Sequence, residues 1–492
     1  MGFSRPLNER TLTHHAARVS VPTYHRASLR RGVVHISVGS FHRSHQAAYF
    51  DELARRGLGD GWALTGVGLH RRNMKQVLDA QDGLYTLVTR GPEGDDARVV
   101  GAITRYLFAP EENAAVLDAL VDDSTRLVTL TVTAAGYYVD VETGLFLADH
   151  PSIVGDLADP SSPTTAIGLI VEALARRRRA GRAPFTVLSC DNMPSNGPIA
   201  RTAVLGLAAR RAPGLAEWID ANVTFPSSMV DRITPSTTRQ HRRLVAGAFG
   251  VRDRWPVVAE PFSQWIIEDA FCNGRPPLDE VGVQFVDDVR PYSLMKTRLL
   301  NGTHAALGYL GTLAGHQRLD EVMRDPAFAR YAHRLMTDEI TPLLPPVHVD
   351  LAAYGETLRR RFANPAVADP LARLRRNGST KVPAHLLFSI REARALGRRH
   401  PLLTLAVSAW CRCLRNGTAG DDPQAERLQA LARAGGDDPR PLLADEATFG
   451  SLGRSPRFVA AVERDLHDLA DAAGDAAAVA AARARRSASV LA

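Results

Sequence analysis

Apolar and polar positions in the first part of the chain follow the pattern of strands that alternate with helices. Residues 31–39 form a short apolar run closed by glycine, and residues 43–55 continue with helical spacing. A second apolar run, 62–69, is followed by helical spacing over residues 72–80. This rhythm is typical of a doubly wound parallel sheet. The sequence therefore predicts an α/β, Rossmann-type domain.

Further strands extend the pattern toward residue 190. Residues 127–132 and 185–190 are continuous apolar or β-branched runs, which favours parallel strands buried on both faces. Residues 166–179 between them have helical spacing and end in four arginines, as a helix dipole favours. Two shorter strands, at residues 86–88 and 98–103, are separated by a glycine–proline turn at residues 91–94, and together they predict a hairpin.

Beyond residue 290 the alternation of strands nearly disappears, and apolar residues recur at helical spacing. The sequence predicts a mainly α-helical C-terminal domain here. A chain of 492 residues is too long for one hydrophobic core. We expect an N-terminal extension at residues 1–30, a dinucleotide-binding domain at residues 31–290 and a helical substrate-binding domain at residues 291–492.

The composition, with 45% hydrophobic and 23% charged residues, is that of an ordinary globular protein. The net charge is +7, but acids and bases are interspersed and only 6% of residues are aromatic, so nucleic acid is not an expected partner. Neither a secretory signal nor a run of 18 apolar residues is present, which predicts a cytoplasmic protein without a membrane partner. The four cysteines lack the spacing of a zinc site, and no metal is expected.

Lysine is rare: among 60 basic residues only Lys75, Lys296 and Lys381 are lysines. Arginine cannot lose its proton in a protein, whereas burial can make a lysine neutral. A general base is therefore one task for which arginine would fail. This makes Lys296 the first candidate for chemistry, although a lysine can also survive by chance or as a plain phosphate or carboxylate partner.

Two neighbours strengthen the case for Lys296. Asn301 and His304 are three residues apart and share one face of the predicted helix, with Lys296 about 80° from His304. An amine, an amide and an imidazole would then point into one cleft. This combination suits removal of a proton from an alcohol while donors stabilise the alkoxide.

The glycine turn after the first strand is the candidate cofactor site, with contacts at Val38, Gly39, Ser40 and Phe41. It follows a strand and opens a helix, the context in which backbone amides hold a pyrophosphate. Only one of the usual glycines is present, so a plain turn explains the segment about as well.

The second strand ends without the acid that usually holds the ribose of NAD; His70, Arg71 and Arg72 follow instead. Arginines at this point would tolerate a 2′-phosphate, and solvated surface arginines are the alternative. We expect NAD as the cofactor, with His70 and Arg71 among its contacts and NADP as the alternative.

Two further segments place polar groups beside apolar ones. Asn192 follows a buried strand, where a side-chain amide would meet a substrate, although an asparagine that caps a turn is equally compatible. Asp231 lies among large apolar residues, which indicates either a buried ion pair or a position lining the site.

Taken together, these motifs resemble the polyol-specific long-chain dehydrogenases, the family of mannitol 2-dehydrogenase and of the fructuronate and tagaturonate reductases. The resemblance spans roughly residues 30–400. The segments that carry it are Gly-Ser-Phe-His-Arg-Ser-His-Gln at 39–46, Ser-Cys-Asp-Asn-Met-Pro-Ser-Asn-Gly at 189–197, Met-Val-Asp-Arg-Ile-Thr-Pro at 229–235, Glu-Pro-Phe-Ser-Gln-Trp at 260–265, Lys-Thr-Arg-Leu-Leu-Asn-Gly-Thr-His at 296–304 and Gly-Ser-Thr-Lys at 378–381.

The resemblance implies a Rossmann-type domain followed by a helical substrate domain, catalysis without metal, and a monomer. It implies that Lys296 is the general base and that Asn192 and Asn301 form an oxyanion hole. It further implies that the substrate is held or oriented by His304, Asp231, Arg373 and Lys381. Departures from the family pattern occur at three positions, where Ser37 replaces a glycine and Ala134 and Ser293 replace glutamates.

The expected function is hydride transfer between a nicotinamide cofactor and a polyol/2-ketose pair, with D-mannitol and D-fructose first. One alternative is a hexuronate reductase acting on fructuronate or tagaturonate, since Arg373 and the positive net charge suit a carboxylate substrate. An alternative of another class is a nucleotide-binding protein that lost activity together with its two acids.

Overall fold

The computed structural model describes residues 4–140, 143–471 and 476–488. The chain divides into two compact units, Met1–Arg290 and Pro291–Ala492. Each unit has its own core, and the two are described separately.

A parallel sheet of five strands lies at the centre of the first unit. In chain order the strands are β1 (Arg31–Ile36), β2 (Ala63–Gly68), β3 (Ile103–Phe108), β4 (Leu127–Leu130) and β5 (Thr186–Ser189). They are arranged β3-β2-β1-β4-β5, and every neighbouring pair is parallel. This is the strand order of a Rossmann fold, so the predicted fold class is confirmed. The order reverses between β1 and β4, where such sheets bind dinucleotides beyond their carboxyl ends.

Both faces of the sheet are buried, which explains why its strands read as continuous apolar runs. Successive residues of β1 point to opposite faces, and so Val33 and Val34 belong to different hydrophobic clusters. Val34 packs in the cluster with helices Ala109–Val121 and Ala166–Arg179, whereas Val33 packs in the cluster with helix Gln46–Arg55.

Smaller sheets complete the first unit. The predicted hairpin is present as the antiparallel strands Tyr85–Gly91 and Gly94–Val100, with Val257–Ala259 alongside. The bounds predicted for its second strand, 98–103, are wrong, because the hairpin strand ends at Val100 and Ile103 begins β3, which the sequence did not predict. Strands Ser228–Asp231, Gln264–Glu268 and Gln284–Val286 form another sheet, and Arg5–Pro6 pairs with Val251–Arg252. The sequence did not predict the strands beyond residue 228, because two to five residues are too few for a clear alternation. The remaining helices of the unit are Glu9–Thr11, Leu12–His15, Arg26–Ser28, Ser40–Ser44, Arg72–Ala80, Ala134–Tyr137, Pro151–Ala158, Asn196–Arg211, Pro213–Asn222, Arg239–Ala248 and Leu278–Val281.

All elements described in the second unit are helices, as predicted for the C-terminal domain. Helix Pro401–Arg415 runs through its core, where Trp410 is fully buried. None of the helices that the structure describes combines the length and the apolar character needed to cross a membrane. The helices are Arg290–Met295, Lys296–Gly302, Thr303–Leu313, Leu319–Arg324, Pro326–Arg334, Leu335–Ile340, Thr341–Leu343, Leu351–Phe362, Leu371–Arg375, Gly378–Val382, Pro383–Leu387, Phe388–Ala395, Pro401–Arg415, Ala425–Gly435, Arg440–Leu443, Glu446–Phe449, Gly450–Arg454, Pro456–Asp471 and Ala476–Ala488.

The segment Lys296–Gly302 is a π-helix, not the regular α-helix that the sequence predicted. Its backbone bonds join residues five apart, which widens the turn. Residues five apart therefore lie one above the other, as residues four apart do in an α-helix. The angle predicted between Lys296 and His304 is consequently wrong, because the π-helix instead brings Asn301 below Lys296. Such turns are rare and frequently occur at functional sites.

Candidate active site

The glycine turn predicted for the cofactor lies at the carboxyl end of β1. Ser37 adopts a φ of +74°, the left-handed conformation that a glycine takes easily and a serine does not. Two hydrogen bonds hold it: its N–H donates to the Val67 carbonyl over 2.8 Å, and the Thr131 hydroxyl donates to its carbonyl over 2.8 Å. Ser37 thus adopts a left-handed conformation although it replaces the glycine of the family pattern.

Gly39 leaves open space above this turn. A Cβ atom added there would meet no atom within 4 Å, and the glycine precedes helix Ser40–Ser44. Val38 is buried and its N–H donates to the Val67 carbonyl, while the side chains of Ser40 and Phe41 are half-buried. The half-buried turn at the end of β1, with open space beside Gly39, fits a pyrophosphate group. The helix predicted over 43–55 is interrupted at His45 and resumes as Gln46–Arg55.

Two stacked histidines, not predicted from the sequence, lie next to this turn. The rings of His35 and His42 are 3.5 Å apart and nearly parallel, and both side chains are fully buried. His35 is hydrogen-bonded to the hydroxyls of Thr129 and Thr131, at 2.8 and 3.0 Å. Burial lowers the pKa of His35 to about 3 and that of His42 well below its ordinary value. The stack is therefore uncharged and supports the turn from within.

The end of β2 carries exposed basic residues, as the sequence indicated. His70, Arg71 and Arg72 are all exposed. Arg72 forms an ion pair with Glu111 at 2.8 Å, whereas Arg71 forms none with any residue that the structure describes. Of the two arginines, Arg71 is the one whose charge is available to a ligand.

Asp191 and Asn192 follow β5. Asn192 is exposed at the edge of the sheet, the position expected for a substrate contact. Asp191 is buried and turns back toward the end of β4, where its carboxylate accepts the N–H groups of Val132 and Thr133, at 3.0 and 2.8 Å. The sequence identified Asn192 as a candidate, but it did not predict that Asp191 binds the backbone at the end of β4.

Thr133 has a backbone conformation that is nearly confined to glycine. Its φ is +66° and its ψ is 165°, which costs a β-branched residue about 1–3 kcal/mol. The side chains of Thr133, Ala134 and Ala135 are exposed at this point of the sheet edge. Asp231, the remaining predicted residue of the first unit, is buried at the end of its strand opposite Gln264.

The second unit holds the other predicted residues. Lys296 begins the π-helix and only 6% of it is exposed to solvent. Asn301 is half-buried in the same helix, and His304 is buried at the start of the next one, with its ring 4.4 Å from that of Phe362.

Several positive side chains surround His304. Burial lowers the pKa of His304 far below its ordinary value, and positive charges nearby lower it further. Its Nε2 atom is buried without a hydrogen-bond partner among the described residues. The structure thus brings the predicted residues of this unit together with one that the sequence did not single out, Arg361. We call these four side chains the cationic cluster: Arg373, Arg361, Lys381 and Lys296.

Within the cluster, Arg373 is fixed by two hydrogen bonds to the carboxylate of Asp369. Burial, followed by the charges of Arg373 and Arg376, lowers the pKa of Lys381 to about 8. His385, which carried no motif in the sequence, lies in the π-helix Pro383–Leu387. Burial and the charges of Lys381 and Lys296 lower the pKa of His385 to about 4, so it is neutral in this positive environment.

Among the residues that the structure describes, no group of three or more histidine, cysteine, aspartate or glutamate side chains is placed to hold a metal ion.

Two family descriptions cover most of the chain. The mannitol dehydrogenase Rossmann domain matches residues 31–280, and the mannitol dehydrogenase C-terminal domain matches residues 288–470. The chain belongs to the mannitol dehydrogenase family. The resemblance inferred from the motifs is thereby confirmed.

Individual members of the mannitol dehydrogenase family match over almost their full length. Mannitol dehydrogenase 2 of Saccharomyces cerevisiae is 43% identical over 94% of this chain and 95% of its own. Mannitol 2-dehydrogenase of Aspergillus fumigatus is 42% identical over 94% of this chain and 96% of its own.

Two solved structures have the same fold. Pseudomonas fluorescens mannitol 2-dehydrogenase, in a ternary complex with NAD and D-mannitol, is 43% identical with a TM-score of 0.83, over 98% of this chain and 99% of its own. A D-sorbitol dehydrogenase in substrate-free form is 34% identical with a TM-score of 0.88, over 97% and 100% of the two chains.

Proposed function

We propose that this protein is a polyol dehydrogenase that interconverts D-mannitol and D-fructose with NAD. The observation that carries the proposal is the buried Lys296 in its cationic cluster, in a chain of the mannitol dehydrogenase family. The relative from Pseudomonas fluorescens, 43% identical, is described in complex with NAD and D-mannitol. The residues at the carboxyl ends of β1 and β2 fit a dinucleotide, because Gly39 leaves space for the pyrophosphate and Arg71 offers a free charge.

Bound NAD would supply the acceptor for the hydride that leaves the alcohol carbon. As a neutral amine, Lys296 accepts the proton of the substrate hydroxyl, and as the resulting ammonium group it returns that proton in the reverse reaction. The amides of Asn192 and Asn301 donate hydrogen bonds to the oxygen as negative charge develops on it. The remaining positive charges of the cluster, Arg361, Arg373 and Lys381, favour the same negative charge.

Substrate orientation falls to the other predicted residues. His304 is uncharged, so its ring nitrogens exchange hydrogen bonds with a sugar hydroxyl without adding charge. Asp231 accepts hydrogen bonds from hydroxyls, whereas Arg373 and Lys381 donate them. Val38, Gly39, Ser40, Phe41, His70 and Arg71 hold the cofactor. No step requires a metal ion in this scheme.

The direct test is turnover with a panel of polyols and ketoses, read as the absorbance of the reduced cofactor. We expect reduction of D-fructose and oxidation of D-mannitol, with fructuronate and tagaturonate poor substrates. Higher kcat/KM for a hexuronate would replace the proposal by a hexuronate reductase. Binding of NADH without turnover of any substrate would indicate a nucleotide-binding protein without catalysis. The monomeric state and the cytoplasmic location stay predictions from the sequence.

Lys381 predicts a pH dependence of substrate binding. Because its pKa is lowered to about 8, this lysine carries its charge below that pH and loses it above. An uncharged amine makes weaker hydrogen bonds to hydroxyls than an ammonium group does. We therefore expect KM for fructose to rise about three- to tenfold as the pH passes upward through 8.

The matched variant is Lys381→Arg, because an arginine stays charged throughout this range. We expect its KM for fructose to be insensitive to pH over the same interval. Steady-state kinetics at saturating NADH provide the measurement. A wild-type KM that is flat across pH 8, or an equal rise in both proteins, would show that Lys381 does not hold the substrate through its charge.

Arg71 predicts use of NADP beside NAD. A 2′-phosphate at the end of β2 would meet the exposed charge of Arg71, and the carboxylate of Glu111 there is paired with Arg72. We expect Arg71→Ala to lower kcat/KM for NADP about tenfold or more, since a hydrogen bond to a charged group is lost. The value for NAD should change less than about twofold, because NAD lacks the phosphate.

Arg72→Ala is the control, because Arg72 is exposed like Arg71 but is paired with Glu111. We expect it to change the ratio of kcat/KM for NADP and NAD much less than Arg71→Ala does. If wild-type protein does not use NADP, or if both variants alter the ratio equally, Arg71 has no special role in cofactor choice.

A further inference from the structure

The buried carboxylate of Asp191 has no part in the proposed chemistry, yet it has three hydrogen-bond donors. Two are the backbone amides of Val132 and Thr133, described above, and the third is the Tyr137 hydroxyl at 2.7 Å. Tyr137 is itself fully buried and bonded to the Ser189 hydroxyl at 2.6 Å. All three donors belong to the segment that follows β4, and the bond between Tyr137 and Ser189 ties this segment to the end of β5.

The backbone behind Asp191 is fixed as well. Asn196 donates to the carbonyls of Asp191 and Ser228, at 3.0 and 2.8 Å, and its side-chain oxygen accepts the Ser228 N–H at 3.0 Å. Asn196 is only 1% exposed. These bonds leave Asp191 little freedom to move, so buried hydrogen bonds fix its position.

The strained residue is the one that Asp191 holds. Thr133 has a conformation that glycine would adopt freely, and its N–H forms the shorter of the two amide bonds to Asp191. This conformation directs the chain into the exposed turn at 133–135. The turn lies at the end of β4, next to the reversal of strand order where a Rossmann fold binds the second half of its dinucleotide.

We propose that Asp191 is a positioning residue of the cofactor site, which holds the amides of Val132 and Thr133 and so fixes the turn at 133–135 against the nicotinamide half of the cofactor. The inference rests on the proposed function, since it assumes that a nicotinamide cofactor binds at this edge. Asp191 contacts neither the reacting atoms nor the cofactor; it acts through the backbone of β4.

Four variants test the proposal: Asp191→Asn, Thr133→Gly, the double variant, and Asp253→Asn as the control. In Asp191→Asn only one side-chain oxygen remains to accept hydrogen bonds. The new NH₂ group faces a backbone N–H, and two donors cannot bond to each other. Glycine at position 133 adopts the required conformation without help. Asp253 is also a buried carboxylate that accepts two backbone amides, from Thr86 and Trp255, but its partners lie outside the five-stranded sheet.

The readouts are the Kd for NADH, measured by fluorescence titration, and the thermal unfolding midpoint. We expect Asp191→Asn to weaken NADH binding about tenfold or more, from the loss of a bond to a charged acceptor. The double variant should bind NADH within about threefold of the Thr133→Gly protein, which is the reference for loss of the side chain at this position. Asp253→Asn should lower the unfolding midpoint and leave the Kd within about twofold of wild type.

The proposal is overturned if Asp191→Asn binds NADH like wild type, or if glycine at position 133 fails to restore binding in the double variant. An equal loss of binding in Asp253→Asn would also overturn it, since the effect would then follow stability alone. Wild-type protein that binds NADH but oxidises no polyol overturns the proposed function and leaves this test intact. Wild-type protein that does not bind NADH overturns both.

Discussion

Replacement of Lys296 by alanine is expected to lower kcat for mannitol oxidation by about 10²–10⁴-fold, the usual contribution of a positioned general base. Lys296 is one of three lysines among 60 basic residues, it is almost fully buried, and it begins a π-helix. Arginine at this position would keep the positive charge but could not take up a proton. We therefore expect Lys296→Arg to be as inactive as Lys296→Ala.

Lys75→Ala is the matched control for Lys296. Lys75 forms ion pairs with Asp79 and Glu112 in the first unit, at 2.8 and 3.3 Å, and such partly exposed pairs contribute little. We expect its kcat to stay within about twofold of wild type. Rates of mannitol oxidation and fructose reduction, with the Kd for NADH as a check of folding, provide the measurement. A Lys296→Ala protein that keeps more than about a tenth of wild-type kcat would contradict the assignment of the base.

Removal of either oxyanion donor is expected to lower kcat by about 10²–10³-fold. In the proposed mechanism, Asn301→Ala and Asn192→Ala each delete an amide that donates to the developing alkoxide. Aspartate at either position preserves the size of the side chain but places a negative charge beside that oxygen. We expect the aspartate variants to be at least as slow as the alanine variants, which distinguishes electrostatic stabilisation from packing.

The controls for the asparagines are Asn222→Ala and Asn416→Ala, one in each unit. Asn222 is exposed and bonds only to the Trp218 carbonyl among the described residues, and Asn416 is an exposed residue that ends helix Pro401–Arg415. Neither substitution should change kcat more than about twofold. Activity that survives in Asn192→Ala or Asn301→Ala at the level of the controls would remove that residue from the oxyanion hole.

The sequence was sufficient for four of the five strands of the sheet, because burial on both faces leaves continuous apolar runs in the sequence. β4 and β5 are short, but every residue in them is buried, and a continuous apolar run is what such strands require. The strands between Ser228 and Val286 were missed because they are only two to five residues long and their pairing depends on partners distant in the chain.

At the site, the sequence revealed side chains whose chemical type is unusual, and it missed those whose importance comes from geometry. Lys296 was found by its rarity. The π-helix around it was not, because five-residue bonding leaves the apolar spacing almost unchanged. His385 and Arg361 carry no motif, and only tertiary packing brings Arg361 near His304 and His385 near Lys296 and Lys381.

Backbone strain is the other property that the sequence conceals. Nothing in Thr131-Val132-Thr133 announces that the third residue takes a glycine-like conformation, because threonine is an ordinary strand residue. Ser37 is similar, since serine is not a residue from which a left-handed conformation is expected, yet the structure shows one there. Both conformations depend on hydrogen bonds from residues 58 and 94 positions away in the chain.

The scarcity of lysine makes the site accessible to magnetic resonance. Isotope-enriched methyl groups attached to side-chain amines would place reporters at only three positions, one of them among surface ion pairs and two inside the cationic cluster. Substitution of each lysine in turn would remove one resonance and so assign the whole spectrum. The protonation of Lys296 and Lys381 could then be followed directly, in free protein and during titration with cofactor or sugar.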